Sequence, residues 1–229
     1  MYSPSKYKDL IKILLSANLS PSIDWNIETK SNSLFLRHDV DFSVDYAHKL
    51  AQVEESMNIK STYFFMLSSN MYNLLSKYNQ KLVKEIKEMG HSVSLHFDPT
   101  AYDNLDLFNA EKQIFEDLIK TTIEIVSIHR PGPFLKNNNI SLNGINQTYQ
   151  DKYFSNMHYL SDSGGRDVFP HIEEYLQDQK GKGLHLLIHP IWWMNKGSSP
   201  TEVLNEWRLE NNIFLTSEIK ANCKTYLDN

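Results

Sequence analysis

The sequence predicts an α/β fold in which a parallel sheet or barrel is covered on its outside by helices. Three observations carry this expectation: the chain length, the alternation of apolar runs with amphipathic helical patterns, and the polar residues that end the runs. The chain has 229 residues, and single α/β barrel domains fill roughly 200–250 residues. No linker or composition shift divides it, so residues 1–229 are expected to form one domain. Hydrophobic residues make up 41% and charged residues 22%, which fits a packed globular domain and not a disordered, collagen-like or coiled-coil chain.

The elements follow in order. Leu10, Ile13, Leu14 and Ala17 mark a surface helix near the start. The apolar stretch 10–15 is interrupted by Lys12 and is too short to span a membrane. No small-residue cleavage site follows it, so a cytoplasmic location without a transmembrane segment is expected. Residues 33–40 read as a strand. Val44, Ala47, Leu50, Ala51 and Met57 give a helix over 44–57. The β-branched and aromatic run 61–67 is a buried strand. Leu75, Leu82, Ile86 and Met89 place a helix over 74–89, with Gly90 at its end. Strands are expected at 91–96, 123–128 and 184–189, and a helix at 107–119 through Phe108, Phe115 and Ile119. The Asn-rich stretch 134–157 reads as a surface excursion. Ser199, Pro200 and Glu202 are spaced as a capping-box helix start.

Charge and cysteine content narrow the chemistry. A formal net charge of −5 argues against a nucleic-acid partner, which demands a basic face. The single cysteine, Cys223, excludes an intramolecular disulfide framework and an all-cysteine metal site. Metal chemistry would therefore run through carboxylates and some of the nine histidines.

In parallel α/β folds ligand chemistry gathers at the C-terminal ends of the strands, and polar residues end the strands here. Side chains alternate with period two, so Arg37, Asp39 and Asp41 share a face of the first strand. Two carboxylates on one face repel unless a cation or proton lies between them; the alternative is that Asp41 caps the next helix and Asp39 pairs with Arg37. His96 ends the strand 91–96, sharing a face with Ser92 and Ser94, whereas His91 points the other way as a structural residue. His129 leaves its strand just before a rigid turn made by Pro131 and Gly132, and Arg130, between His129 and that turn, is placed to pair with a carboxylate. His189 ends an apolar strand in the same manner, and Asp162 ends the short run that starts at Tyr159. His38 faces away from the aspartates as a packing residue, and His185 lies deeper on the face of His189. Trp192 and Trp193 are either an apolar wall for a sugar ring or part of the core.

Taken in order, these motifs resemble the polysaccharide deacetylase family of NodB homology, a carbohydrate esterase type, from about Leu34 to Trp193. The resemblance implies a distorted (β/α) barrel of about seven strands. It also implies Asp39 as catalytic base, Asp41 and His96 as metal ligands, and Arg130 as the residue that orients the base. Asp162 then corresponds to the acidic residue that contacts that arginine, and His189 to the general acid. The sequence departs from the family where a second histidine should follow four residues after His96: Thr100 stands there. His129 is the candidate replacement, Asp98 is held in reserve, and a degraded site is the third possibility. The implied cofactor is a divalent ion, Zn2+ first, with Co2+ or Ni2+ as alternatives. The implied reaction is removal of an N-acyl group, N-acetyl in the first instance, from a nucleotide-linked, lipid-linked or short glycan in surface-polysaccharide synthesis. Hydrolysis of another C–N bond, such as a formamide or cyclic imide, and a catalytically silent glycan-binding protein remain the competing expectations.

Overall fold

The computed structural model describes residues 2–102, 105, 107–132, 139–178 and 181–227. Its helices are α1 (Pro4–Ser16), α2 (Val44–Ser56), α3 (Lys77–Glu88), α4 (Phe108–Ile119), α5 (Phe169–Gln177), α6 (Pro190–Trp193) and α7 (Pro200–Asn222). Its strands are β1 (Ser20–Pro21), β2 (Ser33–Val40), β3 (Thr62–Phe65), β4 (Ser92–Phe97), β5 (Ile125–Ile128), β6 (Asn146–Gln147), β7 (His158–Ser161) and β8 (Leu184–Ile188). Seven strands pair in the order β6-β5-β4-β3-β2-β8-β7, with β1 added beside β2. Every one of these pairings is parallel, and the sheet curls into a half-barrel. The expected distorted barrel of about seven strands is therefore the architecture found.

Period two explains how the sheet faces divide. Along β2, Leu34, Leu36 and Val40 enter the large core under the helices, while Phe35 joins Trp25, Phe64, Ile125, Tyr153 and Met157 inside the curve. Arg37 and Asp39 continue the Phe35 row. The inner face thus has an aromatic floor near the strand starts and polar side chains toward the strand ends. β2 is buried along its whole length, as a central parallel strand covered on both sides must be.

The helix ends follow local chemistry. Ser3, Ser43, Ser76 and Ser199 cap α1, α2, α3 and α7 through their side-chain oxygens. Gly90, just past α3, takes a φ of 91°, a region open to glycine at little cost. Two sequence expectations are corrected. α3 starts after Ser76, so Leu75 lies outside the helix and is 53% exposed, and the neighbouring Leu74 is buried instead. In α1 the buried stripe is Tyr7, Leu10, Ile11 and Leu14, which turns Ile13 outward. Of the Asn-rich stretch, residues 134–138 lie outside the described residues. Among the described residues no helix is long and apolar enough to cross a membrane.

Candidate functional site

The ends of β2, β4, β5, β7 and β8 bring Asp39, Asp41, His96, His129, Asp162 and His189 together. Asp39 is the penultimate residue of β2, and Asp41 follows the strand on the same face. β4 carries His96, opposite Ser127 of β5 in register. His129 continues β5, its backbone N–H donating to the Phe97 carbonyl at 2.8 Å. His189 leaves β8 at the start of α6.

Three of these residues converge on a point. His96 Nε2 lies 3.2 Å from Asp41 Oδ1 and 3.1 Å from His129 Nδ1. The His129 Nδ1 to Asp41 Oδ1 distance is 3.7 Å. Ligand atoms about 2.0–2.2 Å from a tetrahedral ion stand roughly 3.3–3.6 Å from each other, so the spacing suits a divalent ion. Asp41 Oδ1 is buried without a partner in hydrogen-bond geometry, a costly state for a carboxylate oxygen unless a cation faces it. The donor set, two imidazoles and a carboxylate, is one that zinc accepts. Burial opposes the charge on Asp41, but the three histidines around it hold its carboxyl below the usual range. Asp98, the reserve candidate, is not one of the three that converge; its Oδ1 accepts from the Thr100 backbone N–H at 2.9 Å and from the Thr100 hydroxyl at 2.6 Å.

A second group stands beside the first. Asp162 is fully buried, and its Oδ1 lies 2.6 Å from His189 Nδ1. The same carboxylate accepts from the His189 backbone N–H and from Trp193 Nε1 at 2.8 Å. Burial alone would lower the His189 pKa, but the Asp162 charge and hydrogen bond outweigh it and push it up to about 9. The outer nitrogen of His189 faces Asp41 Oδ2 at 3.7 Å.

Asp39 accepts two parallel bonds from Arg37, Nε to Oδ1 at 2.9 Å and Nη2 to Oδ2 at 2.6 Å. Ser127 donates to Oδ2 at 3.1 Å. Burial would raise the Asp39 pKa, but Arg37 and the site histidines hold it well below the usual carboxylate range. Oδ2 lies 3.6 Å from His96 Nε2, so Asp39 borders the metal-ligand cluster.

The structure does not bring Arg130 to either aspartate. Its backbone takes a φ of 49° and its side chain is exposed; no hydrogen bond or ion pair joins it to Asp39 or Asp162. The left-handed turn after β5 swings the side chain outward, and the guanidinium beside Asp39 is that of Arg37. Trp193 belongs to the core, fully buried beside Tyr2 and Tyr7. Trp192 is 6% exposed. The shared face of Arg37 and Asp39 offers their pairing from the sequence alone; the reach of Arg37 to Ser127 and Tyr149 has no such signal.

No family model matches the sequence, and no curated protein matches it. Among solved structures, the Bc1960 peptidoglycan N-acetylglucosamine deacetylase aligns at 15% identity over 81% of this chain and 85% of its own, with a TM-score of 0.50. The peptidoglycan deacetylase PdaC from Bacillus subtilis aligns at 12% identity over 90% of this chain and 100% of its own, also with a TM-score of 0.50. The fold is the NodB-type deacetylase fold. BA3943, a CE4 family pseudoenzyme from Bacillus anthracis, aligns at 14% identity over 83% of this chain, with a TM-score of 0.49. The chain spans 63% of that pseudoenzyme's length.

Proposed function

We propose that the protein is a metal-dependent hydrolase that removes an N-acyl group, N-acetyl in the first instance, from a sugar. The observation that carries this reading is the meeting of Asp41, His96 and His129 at metal-ligand spacing within reach of Asp39 on one side and of the Asp162–His189 pair on the other. Asp41, His96 and His129 would hold the ion. When bound, a divalent ion such as zinc supplies Lewis acidity toward an acyl carbonyl and a water. Cobalt or nickel would fit the same donors.

The rest of the chemistry falls to the protein's own groups. Asp39, held ionised, accepts the proton of the attacking water. His189, held protonated by Asp162, donates to the nitrogen of the leaving amine as the C–N bond breaks. Water thus supplies the oxygen of the carboxylate product, and its proton goes to Asp39. Asp162 fixes the His189 ring through Nδ1, which leaves Nε2 as the donating atom.

Zinc stoichiometry, together with acetate release from tri-N-acetylchitotriose, tests the reading. Asp39→Asn is expected to keep zinc and to lose about 10²–10⁴-fold in kcat. Loss of zinc in Asp39→Asn, with zinc retained in Asp41→Ala, would reverse the two roles. In Asp162→Asn, the basic limb of the pH–rate profile should move to lower pH, because the charge that keeps His189 protonated is gone. An unmoved limb would remove His189 as the acid.

A further inference from the structure

A general base works only if its carboxylate is held at the angle the water needs, and a 1 Å misplacement can cost about 10²-fold in rate. The family resemblance gives that task to Arg130, which does not reach Asp39. The geometry points to Arg37, two residues back on the same strand, as the residue that positions Asp39; this deepens the hydrolase reading and rests on it.

Arg37 and Asp39 share the inner face of β2, so the guanidinium runs alongside its own strand neighbour and meets both carboxylate oxygens at 2.9 and 2.6 Å. A two-point bond of this kind fixes the plane of a carboxylate, which a single donor does not. The guanidinium is itself fixed from outside the strand. Its Nη2 lies 2.6 Å from Ser127 Oγ and 3.1 Å from the Tyr149 hydroxyl, and its Cζ sits 4.8 Å over the Tyr149 ring. Ser127 closes the loop by donating to Asp39 Oδ2. That is the oxygen nearest His96.

Arg37 is fully buried, and among the described residues Asp39 is its only carboxylate partner. Below it on the inner face, His185 is kept neutral: burial and then Arg37 itself lower its pKa to about 3. Asp39 is thus the one carboxylate among the described residues that balances the Arg37 charge. Buried ion pairs of this type add little net stability over apolar packing, whereas their directional fork specifies geometry. Arg37 is a positioning residue and does not touch the reacting atoms.

Full-length Arg37→Met, Arg37→Lys and Arg130→Met proteins separate the roles. Each is assayed for zinc affinity, for kcat and KM on tri-N-acetylchitotriose, and by crystal structure. In Arg37→Met, zinc affinity should stay within about threefold while kcat falls about 10²-fold with KM little changed, the mark of an interaction made in the transition state. The Asp39 carboxylate should rotate away from its present plane. Arg37→Lys keeps the charge but not the fork, and should recover about tenfold of the loss. Where Arg37→Met does not fold, Arg37→Lys supplies the same readings against the unmodified protein.

An Asp39 carboxylate that keeps its position without the Arg37 fork overturns the inference. So does a larger kcat loss in Arg130→Met than in Arg37→Met. Absence of turnover by the zinc-loaded unmodified protein fails the hydrolase reading instead, and the Asp39 position in the Arg37 variants still decides the role of Arg37.

Discussion

Zinc added to the metal-free protein is expected to raise its melting temperature, and Asp41→Ala to abolish that rise. An ion at about a hundred times its dissociation constant adds roughly 2.7 kcal/mol to the stability of the state that binds it. For a chain of this size that corresponds to about 5–11 °C. Asp41 presents a buried oxygen to both imidazole nitrogens, so its removal leaves two neutral ligands that do not fix an ion between them. His129→Ala is the more informative variant. Loss of a residue that merely supports a ligand lowers metal affinity about 10–100-fold, and loss of a ligand itself should exceed that. Isothermal titration with zinc distinguishes the cases. Full affinity in His129→Ala would return the third position to Asp98 or to solvent. No zinc, cobalt or nickel binding by the unmodified protein would remove the metal-dependent reading altogether.

The sequence disclosed the elements and the rows of side chains better than the contacts between distant residues. The alternation along 33–40 placed Arg37, Asp39 and Asp41 on one face, and β2 occupies those residues. The apolar runs before His129 and His189 end where their strands end, whereas β4 runs one residue past His96, to Phe97. Those signals are local, because pleat and helix period act over a few residues. Arg130 shows where such reading stops. Its place directly after a strand and before Pro131 and Gly132 suggested an inward side chain, but a φ of 49° at a residue other than glycine has no composition signal. Glu54 shows a second limit. It lies on the buried face of α2, where an apolar residue is the rule, and its partners come from α1, β2, β3 and the residues just before β3 and β4.

Glu54→Ala is expected to destabilise the fold by about 3–5 kcal/mol, the cost of removing one partner from a buried charged network. On a chain of this size that is a fall of about 6–20 °C in melting temperature. The carboxylate is fully buried and gathers groups from across the outer face of the sheet. It accepts from Tyr7 of α1 at 2.5 Å, from Ser61 at 2.5 Å and from Tyr63 of β3 at 2.6 Å. It lies 2.8 Å from His38 Nε2 of β2 and 3.6 Å from His91 Nδ1. Alanine would leave all of these polar atoms buried without it, which is why the loss exceeds that of an ordinary hydrogen bond. Glu54→Gln keeps the shape and one acceptor and should cost less.

The same network sets an acid limit. Burial would raise the Glu54 pKa, but His38, His91 and the Ser61 hydroxyl hold it down at about 2, against 4.5 for the free group. A carboxyl whose pKa is lower in the folded state binds more protons when unfolded. The stability it contributes is therefore present above pH 4.5 and is lost as the pH falls from there toward 2. The shift corresponds to about 3 kcal/mol. His91 acts with the same sign: burial lowers its pKa, so its protonation below pH 6.5 also favours the unfolded chain. Melting curves between pH 7 and pH 3 should show the unmodified protein losing stability steeply below pH 4.5, and Glu54→Gln losing less over that interval. Equal slopes would mean that other carboxylates set the acid limit, and a melting temperature unchanged in Glu54→Ala would mean that the network adds nothing to the fold.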